Sequence, residues 1–322
     1  MNGDGEFDPH DVRLMQGLAQ RVTALRPELV NNVATVGELA WVWGMGHHDD
    51  RDTWRRRLWY HRAEMVGWGW AYLPREVTRS DRTTSVVEHA YLVWQVHPDH
   101  PGILDEILDW YDGLTPRVDR RTSVRAVDDD ALDRLGAHGY LVDETAGADD
   151  AYWLQLNQRD LVDLPEPLLP DGFRFRTADE VGPEAAWKAH VDAWHPSTLT
   201  LRGLQGAQQT WPYRGDLHIL VEAPDATLAA TAIMWLDEQN KTAEFEPVGT
   251  HRDYRRRGLG TALLGYGMQQ AKNSGATRMT VACLGAAGHP AAKGLYYDVG
   301  FSEFTREVPH VKRASPAPTD TT

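Results

Sequence analysis

The sequence has little cysteine and no long apolar segment. Its 322 residues include a single cysteine, Cys283, which excludes an internal disulfide framework and fits a reducing compartment. No apolar run approaches the ~18 residues that a membrane-spanning helix needs. The first ten residues also lack the basic start and apolar stretch of a secretory signal. We therefore expect a cytoplasmic protein without a membrane partner.

Positive charge is also scarce. Lys and Arg number 33 against 47 Asp and Glu, which gives a formal net charge of −14. Because phosphate contacts need a surplus of basic side chains, this balance argues against nucleic acid as the main partner. An acidic protein would suit a cationic amine as its ligand, since net charge steers oppositely charged molecules.

The length predicts two domains, since one domain usually takes about 100–200 residues. Residues 161–172, LVDLPEPLLPDG, hold three prolines and no periodic pattern, which is typical of a linker. We therefore expect domains at 9–160 and 173–310. The polar ends, residues 1–8 and 314–322, have the composition of tails.

The second half has alternating and helical apolar patterns that predict the order β-α-β-β-β-α-β-α-β. Expected strands lie at 173–176, 217–222, 227–236, 242–250, 278–284 and 301–308, and expected helices at 182–194, 261–274 and 290–299.

The first half resembles a worn copy of this plan. Its patterns predict two strands within 57–73, further strands at 86–96 and 151–158, and helices at 101–112 and 131–137. Two segments align with the second half: 96–100, VHPDH, beside 250–254, THRDY, and 135–140, LGAHGY, beside 296–301, YYDVGF. The two offsets differ by seven, so the repeat requires an insertion or a deletion.

The run Arg255-Arg256-Arg257-Gly258-Leu259-Gly260 lies between a predicted strand and a predicted helix. Backbone N–H groups and the helix dipole can hold a pyrophosphate there, and the glycines let the backbone approach it. No Lys-Ser or Lys-Thr pair follows, which excludes a Walker loop. Leu263 occupies the third glycine position of a dinucleotide fingerprint, which excludes that motif too.

A second motif lies further along the chain. Arg255-x-x-Gly258-x-Gly260 follows Val248-Gly249-Thr250, and residues 292–301, AKGLYYDVGF, come after one more helix and strand. Together they resemble the two signatures of the GNAT superfamily of acyl-CoA-dependent N-acyltransferases, [Q/R]-x-x-G-x-[G/A] and A-x-x-L-Y-x-x-x-G-F. The resemblance implies an α/β protein of two tandem GNAT domains, each a mixed central sheet flanked by helices. It also implies acetyl-CoA, or another acyl-CoA, as co-substrate, and no metal.

In that family one strand pairs with the pantetheine of acyl-CoA and the glycine loop takes the pyrophosphate. Carried over by motif position, Val248, Gly249 and Thr250 would meet the pantetheine. The phosphate-binding set would be Arg255, Arg256, Arg257, Gly258, Leu259, Gly260 and Thr261. His289 stands where many members have an asparagine that contacts the cofactor.

Acyl transfer to an amine needs a base for the ammonium proton and an acid for the departing thiolate. Tyr296, at the family's tyrosine position, is the candidate acid; the alternative is a packed aromatic. Glu244 and Glu246 are candidate bases, because a strand places both on one face unless a bulge intervenes. The alternatives are solvated carboxylates, carboxylates that only hold a cationic substrate, or an ordered water as base. His251 and His195 are weaker candidates.

The first half lacks this chemistry. Its counterpart of the arginine loop has neither the arginines nor the second glycine, and Pro101 removes an amide that could bind phosphate. Leu135 aligns with Tyr296. Nine of the 13 tryptophans precede the linker, and either line a pocket or fill the core through Trp41, Trp59, Trp68 and Trp94. We expect a degenerate domain that walls the acceptor site.

The expected function is transfer of an acetyl or related acyl group from acetyl-CoA to a primary amine of a small molecule, such as an aminosugar antibiotic or a related metabolite. A protein or peptide N-acetyltransferase remains an alternative, as does an acyl-CoA-binding sensor or scaffold without turnover. Two fused copies can mimic a dimer within one chain, so both a monomer and a homodimer are compatible with the sequence.

Overall fold

A computed structural model describes residues 7–144, 153–285 and 290–314. Up to residue 160 the described chain forms four α-helices and eight strands, with short 3-10 turns at Pro27–Leu29, Asn32–Ala34 and Arg51–Thr53. The helices are α1 (Pro9–Leu25), α2 (Val36–Gly46), α3 (Ile103–Leu114) and α4 (Asp129–Ala137). The strands are β1 (Trp54–His61), β2 (Glu64–Tyr72), β3 (Arg75–Thr78), β4 (Thr84–Val87), β5 (Ala90–Val96), β6 (Arg120–Arg125), β7 (Leu141–Val142) and β8 (Leu154–Asp160).

Beyond residue 160 the described chain forms five helices and six strands. They are β9 (Arg174–Thr177), α5 (Ala178–Val181), α6 (Pro183–Ala193), α7 (Leu201–Gln208), β10 (His218–Glu222), β11 (Leu228–Asp237), β12 (Thr242–Thr250), α8 (Leu259–Asn273), β13 (Arg278–Leu284), α9 (Pro290–Asp298) and β14 (Ser302–Lys312). Further 3-10 turns lie at Gly215–Leu217 and Arg252–Tyr254. Among the described helices, none has both the length and the apolar character needed to cross a membrane. The predicted order of elements is confirmed, apart from the additional helices α5 and α7.

One large mixed sheet runs through both halves. Its order is β1-β2-β5-β6-β14-β8-β13-β12-β11-β10-β9, with β7 added beside β14, while β3 and β4 form a separate hairpin. The pairs β5–β6 and β12–β13 are parallel and the other pairs are antiparallel. The strands β1, β2, β5 and β6 follow one another with the same directions as β10, β11, β12 and β13, and β9 is an additional edge strand. This correspondence gives an α/β architecture of two similar halves.

Each half lends a strand to the other. The strand β8 belongs to the first half by sequence, yet it pairs with β13 from Arg278↔Asp160 to Leu284↔Leu154. The last strand, β14, pairs with β8 through its first residues and with β6 from Glu307↔Arg125 to Lys312↔Arg120. The chain therefore crosses between the halves at its middle and again at its end, and the two sheets fuse into one.

The aligned segments of the repeat have the same local geometry. His97 and His251 follow β5 and β12, and the Nδ1 of each accepts the backbone N–H two residues later at 3.2 Å. The helices α4 and α9 end alike: Tyr140 donates its N–H to the carbonyl of Leu135 at 2.9 Å, and Phe301 donates to that of Tyr296 at 3.0 Å. Leu135 therefore occupies the place of Tyr296, and the internal repeat is confirmed.

The helix α2 lies between the halves. Leu39 and Trp43 pack in the apolar cluster beneath β2, whereas Ala40 and Trp41 pack against Trp235 on the other half of the sheet. A Cβ on Gly37 would come within 2.4 Å of the Trp235 side chain, so glycine lets the helix approach β11 closely. The helix α2 is thus shared core, and its N-terminus faces the second half.

The tryptophans of the first half serve the core. Trp41, Trp59, Trp68 and Trp94 are all buried and belong to the apolar clusters on the two faces of the sheet. Of the two alternatives, the core interpretation is confirmed for these four residues.

Several elements differ from the sequence expectations. No element was predicted for α1, α2, α5, α7, β3, β6 or β7. The strand β14 continues four residues past the expected end at residue 308, because its second part pairs with β6. The expected strand at 151–158 begins at Leu154, and its first two residues lie outside the described chain. The segment 161–172 has no regular structure, and three of its leucines, Leu161, Leu164 and Leu169, pack on the second half's core.

Candidate active site

A bulge in β12 opens a cleft in the second half of the sheet. The register of β11 and β12 shifts between Ala232↔Val248 and Met234↔Phe245, so two residues, Glu246 and Pro247, stand opposite one residue of β11. The parallel pairing of β12 with β13 stops at Phe245↔Val281. Beyond this point the two strands diverge, and residues 246–250 pair only with β11 among the described residues.

The diverging segment contains three predicted contacts of the cofactor. Val248, Gly249 and Thr250 pair with Ala232, Thr231 and Ala230 of β11 on one side, and their other edge faces the cleft. Backbone groups at such an edge can form the ladder of an added strand, as an extended amide-bearing chain does. Gly249 has a packing role too, because a Cβ there would lie 2.3 Å from the Trp194 ring. These residues fit the pantetheine of acetyl-CoA.

The arginine loop leads from the cleft to α8. Gly258 caps the helix in the left-handed region at φ 76°, and Arg256 is also left-handed at φ 64°. Leu259, Gly260 and Thr261 form the first turn, which contains no acidic residue. The N–H groups of a first helical turn have no intrahelical acceptor and attract anions. A pyrophosphate therefore fits this helix start.

The three arginines differ in their contacts. Arg255 donates to the carbonyl oxygens of Thr250 at 3.1 Å and Ala193 at 3.2 Å, so it braces the loop against α6. Arg257 donates to the carbonyl of Asp253 at 3.2 Å and lies over the Tyr254 ring. All three side chains are exposed. Within the described chain, Arg256 donates no hydrogen bond to a backbone carbonyl oxygen. The predicted contact at His289 lies outside the described residues.

Tyr296 projects from α9 into the core beside the cleft. It is 6% exposed and lies in the same apolar cluster as Leu259 and Phe301. Burial and the nearby carboxylate of Glu246 raise the pKa of its hydroxyl. The hydroxyl is therefore protonated at neutral pH, which is the state that a proton donor needs.

Glu244 and Glu246 lie at the start of the opening. Burial raises the pKa of Glu244 to about 7, although the Thr35 hydroxyl, which donates to its Oε2 at 2.6 Å, and the charge of Arg125 lower it. Burial, together with the negative charge of Glu244, raises the pKa of Glu246 to about 8. A carboxylate with a pKa near neutrality can take a proton from an ammonium group and release it again.

The first half contributes charged groups to the same place. Glu38, on α2, is 8% exposed, and its burial and the carboxylates of Glu246, Glu244 and Glu307 raise its pKa well above the usual range. Glu307 is also 8% exposed, with its pKa raised by burial. Sheet register places Glu307 on the side of Glu244 and opposite Arg125. Four carboxylates from both halves thus share one buried region.

Arg125 is the cation within this region. It is fully buried, and its Nε donates to the carbonyl of Val30 at 2.7 Å. Neither Nη atom has a hydrogen-bond partner among the described residues. The charge of Arg125 lowers the pKa values of Glu244 and Glu307, so it faces both carboxylates. An unpartnered buried guanidinium leaves the site one strong donor group for a ligand.

Sequence reasoning missed Thr35, Glu38, Arg125 and Glu307. Thr35 caps α2 by accepting the N–H of Glu38 at 3.0 Å, and a Thr-x-x-Glu pattern before apolar residues is a recognisable helix start. That signal predicts α2, but it does not predict that α2 faces the other half. No local sequence pattern indicates that Arg125 or Glu307 is a buried residue of the site.

The two candidate histidines lie apart from this chemistry. His195 is exposed after α6, and the His251 ring accepts the N–H of its own loop residue, Asp253. Two other histidines are buried instead. His190 stacks on Trp194, and burial lowers its pKa to about 4, while His218 bonds with Tyr213 and Thr231. These neutral rings have packing partners and serve the fold.

The first half fills its own counterpart of the cleft. Strands β5 and β6 pair only from Ala90↔Arg120 to Leu92↔Thr122 and then diverge. The Asn31 side chain donates to the carbonyl of Trp94 at 2.8 Å, and its backbone N–H donates to the Gln95 side chain at 2.9 Å. Asn31 therefore hydrogen-bonds to groups of β5, whereas the corresponding edge of β12 faces the open cleft.

A profile of the Acetyltransferase (GNAT) family matches residues 184–301, from α6 to the residue after α9. The second half of the chain therefore contains a GNAT acetyltransferase domain. Acetyl-CoA is the co-substrate of this family. The matched range contains the bulge, the cleft, the arginine loop and Tyr296. A search of curated proteins found no match.

Solved structures with the same fold match nearly the whole chain. A GCN5-related N-acetyltransferase from Sphaerobacter thermophilus is 18% identical, with a TM-score of 0.59, 98% of this chain covered and 96% of that one. A tandem GNAT protein from the clavulanic acid biosynthesis pathway is 14% identical, with a TM-score of 0.62 and coverage of 97% and 98%. These matches support the tandem GNAT fold of both halves, and the identities are too low to transfer a substrate.

Proposed function

We propose that the chain transfers an acetyl group from acetyl-CoA directly to a primary amine of a small molecule. The observation that carries this proposal is that Glu246, with a pKa raised to about 8, lies within electrostatic range of the buried Tyr296 where the strands diverge. A base and an acid at one opening are what aminolysis of a thioester needs.

The proton steps assign a role to each group. Glu246 takes a proton from the ammonium group of the acceptor, which frees the nitrogen lone pair to form the new C–N bond. The C–S bond breaks, and Tyr296 gives its proton to the thiolate sulfur, so the products are an amide and CoA. Glu244 raises the pKa of Glu246 by its charge and is itself oriented by Thr35. The acylated nitrogen loses its second proton to the Tyr296 phenolate, and Glu246 releases its proton to solvent, so both groups return to their first state.

The shape of the site supports a small acceptor. The helix α2 from the first half covers the face of β12 that bears Glu244, and Glu38 of this helix and Glu307 lie on the same side. An extended peptide would have to displace this packed helix, whereas a small amine needs only the space between the halves. An aminosugar is one acceptor of this class.

The experiment is a CoA-release assay with acetyl-CoA and panels of aminosugars, polyamines, amino acids and peptides. In Tyr296→Phe we expect kcat to fall by about 100-fold or more, the usual contribution of a positioned acid, with acetyl-CoA still bound. Tyr297→Phe is the matched control, because Tyr297 is half-exposed on the same helix and its hydroxyl binds Gln155 instead.

The outcomes separate the alternatives. Turnover of small amines that Tyr296→Phe abolishes and Tyr297→Phe spares supports the proposal. Turnover confined to peptides would make the chain a peptide acetyltransferase. Acetyl-CoA binding measured by calorimetry, without turnover of any acceptor, would favour a sensor.

A further inference from the structure

A large cavity lies in the first half and is closed by the part of β14 that pairs with β6, which bears Glu307. Its volume is about 830 Å³. Its walls come from α2 and the turn before it, from strands β2, β5, β6 and β14, and from the β3–β4 hairpin. Leu154 reaches the cavity from the end of β8 that pairs with Leu284, the last residue of the diverging β13. Among the described strands, only the end of β13 therefore lies between this wall of the cavity and the cleft.

The inner end of the cavity is acidic. Glu307 lines this end. Its charge, like the charges of Glu244 and Glu246, raises the pKa of Glu38. The middle is apolar, and its side chains are Val33, Val42, Val87, Val93, Leu154 and Pro309. An ammonium group at the inner end would thus be followed by an apolar body.

The outer end is basic, although the chain as a whole is acidic. Arg75 and Arg79 line the cavity and are half-buried on the β3–β4 hairpin. No carboxylate lies within ion-pair distance of either one in the part of the chain that the structure describes. Arg121, which also lines the cavity, differs because it pairs with Asp143 at 3.2 Å.

The two remaining basic residues of the lining do not add charge. Burial and the charges of Arg121 and Arg75 lower the pKa of His89, and burial lowers that of His310. The hairpin itself is held in place, since Ser80 donates its N–H to the Ser197 carbonyl at 2.7 Å and its hydroxyl accepts the Ser197 N–H at 3.0 Å. Arg75 and Arg79 are therefore two cations on a tethered hairpin, and Arg75 lies over the Tyr72 ring at 5.4 Å.

We infer that the acceptor carries an anionic group, a carboxylate or a phosphate, which Arg75 and Arg79 bind while the amine lies at the acidic end. Two guanidinium groups without carboxylate partners are a site for such an anion. The separation of charge along one cavity orients the molecule, because a reversed molecule would bring like charges together at both ends. The inference rests on the proposed acyl transfer for its assignment of the amine.

The test compares acceptors that differ only at the far end. The probes are hexylamine with 6-aminohexanoate, and 6-aminohexan-1-ol with 6-aminohexyl phosphate. For the wild-type protein we expect kcat/KM to be about 10-fold or more higher for the anionic member of a pair, as for other hydrogen bonds to charged groups. The two pairs separate a carboxylate from a phosphate as the preferred group.

The variant is Arg75→Gln with Arg79→Gln. In it the preference for the anionic member should fall to about 2-fold or less, while kcat/KM for hexylamine stays the same, because the neutral amine makes no contact with the guanidinium groups. Arg82→Gln is the matched control, since Arg82 is exposed on the same hairpin and does not line the cavity. Equal rates within both pairs for the wild type, or a preference that survives in the double variant, would overturn the inference.

Failure of the proposed reaction gives a different signature. If no amine is acetylated, the binding of 6-aminohexyl phosphate to the intact protein is measured by calorimetry. Binding that the double variant weakens about 10-fold or more and Arg82→Gln preserves would support the anion site alone. Equal binding to all three proteins would sink the anion site as well.

Discussion

The two halves of this chain share a plan but differ where their parallel strands diverge. In the second half a bulge at Glu246 and Pro247 opens the edge of β12 to a ligand. In the first half the register of β2 and β5 runs without a shift from Gly67↔Val96 to Tyr72↔Tyr91, and Asn31 and Gln95 fill the opening. The same sheet therefore serves as a binding cleft or as a closed wall, according to a few residues at the strand ends.

The helices that follow the two clefts differ in charge. The first turn of α8 has no acidic residue and three arginines precede it, whereas the first turn of α3 contains Asp105 and Glu106. Asp128, Asp129 and Asp130 line the cavity next to α3. Since a helix start favours anions only where the local charge permits it, the first half would repel a pyrophosphate. We therefore predict that the first half is a catalytically silent half that walls the candidate site, to which it contributes Thr35, Glu38 and Arg125.

Among variants that test the difference between the two halves, Glu246→Gln should have the largest effect on acetyl transfer. Loss of the proposed base should lower kcat/KM by about 100-fold. In the wild type kcat/KM should rise with pH through about 8, because Glu246 acts when ionised. Glu244, Glu38, Arg125 and Tyr296 are the charged or titratable groups around it. The pH profile of acetyl transfer measures both effects.

Glu64→Gln is the control for this change. Glu64 lies exposed on β2 in the silent half and pairs with Arg21 at 3.3 Å. Its rate and pH profile should equal those of the wild type. A Glu246→Gln protein that keeps the wild-type profile would assign the base to Glu244 or to water instead.

Substitution of the glycine at the start of α8 should have the next largest effect, and the equivalent glycine at the start of α3 provides the comparison. Gly258→Ala forces a side chain into the left-handed region before α8 and disturbs the phosphate loop, so the KM for acetyl-CoA should rise about 10-fold. Gly102→Ala, at the start of α3, should leave the KM unchanged, because Gly102 has φ −62° and free space around its Cα. Equal changes in both variants would argue that the loops are equivalent after all.

Thr35→Ala should have the smallest effect and tests whether the silent half tunes the active one. The variant removes the bond to Glu244 and the cap of α2, at a cost of about 1 kcal/mol in unfolding free energy. The pKa of Glu244 should rise, because that hydrogen bond lowers it. Chemical denaturation and the pH profile measure the two changes, and Thr35→Ser, which keeps the hydroxyl, should restore both. An unchanged pH profile in Thr35→Ala would remove Thr35 from the site.

Much of the second half followed from the sequence. Alternating and helical patterns predicted its strands and helices, because one face of each element must be apolar to pack on the sheet. The motif of two glycines after arginines predicted the helix entry, and its positive φ at Gly258 is the backbone state for which glycine is suited. The roles of the named site residues stay predictions. The alternation of the strand allowed for a bulge near Glu246 but did not predict it.

Tertiary structure alone decided the exchange of strands and the composition of the site. Nothing local in residues 154–160 or 302–312 tells which half they pair with, since an antiparallel edge accepts any strand of suitable pattern. The sequence alone indicated the GNAT domain of the second half, since its two motifs each consist of residues close together in the chain. The gathering of Glu38, Arg125 and Glu307 around Glu244 depended on the fused sheet, which buries side chains from distant segments in one space of low polarity.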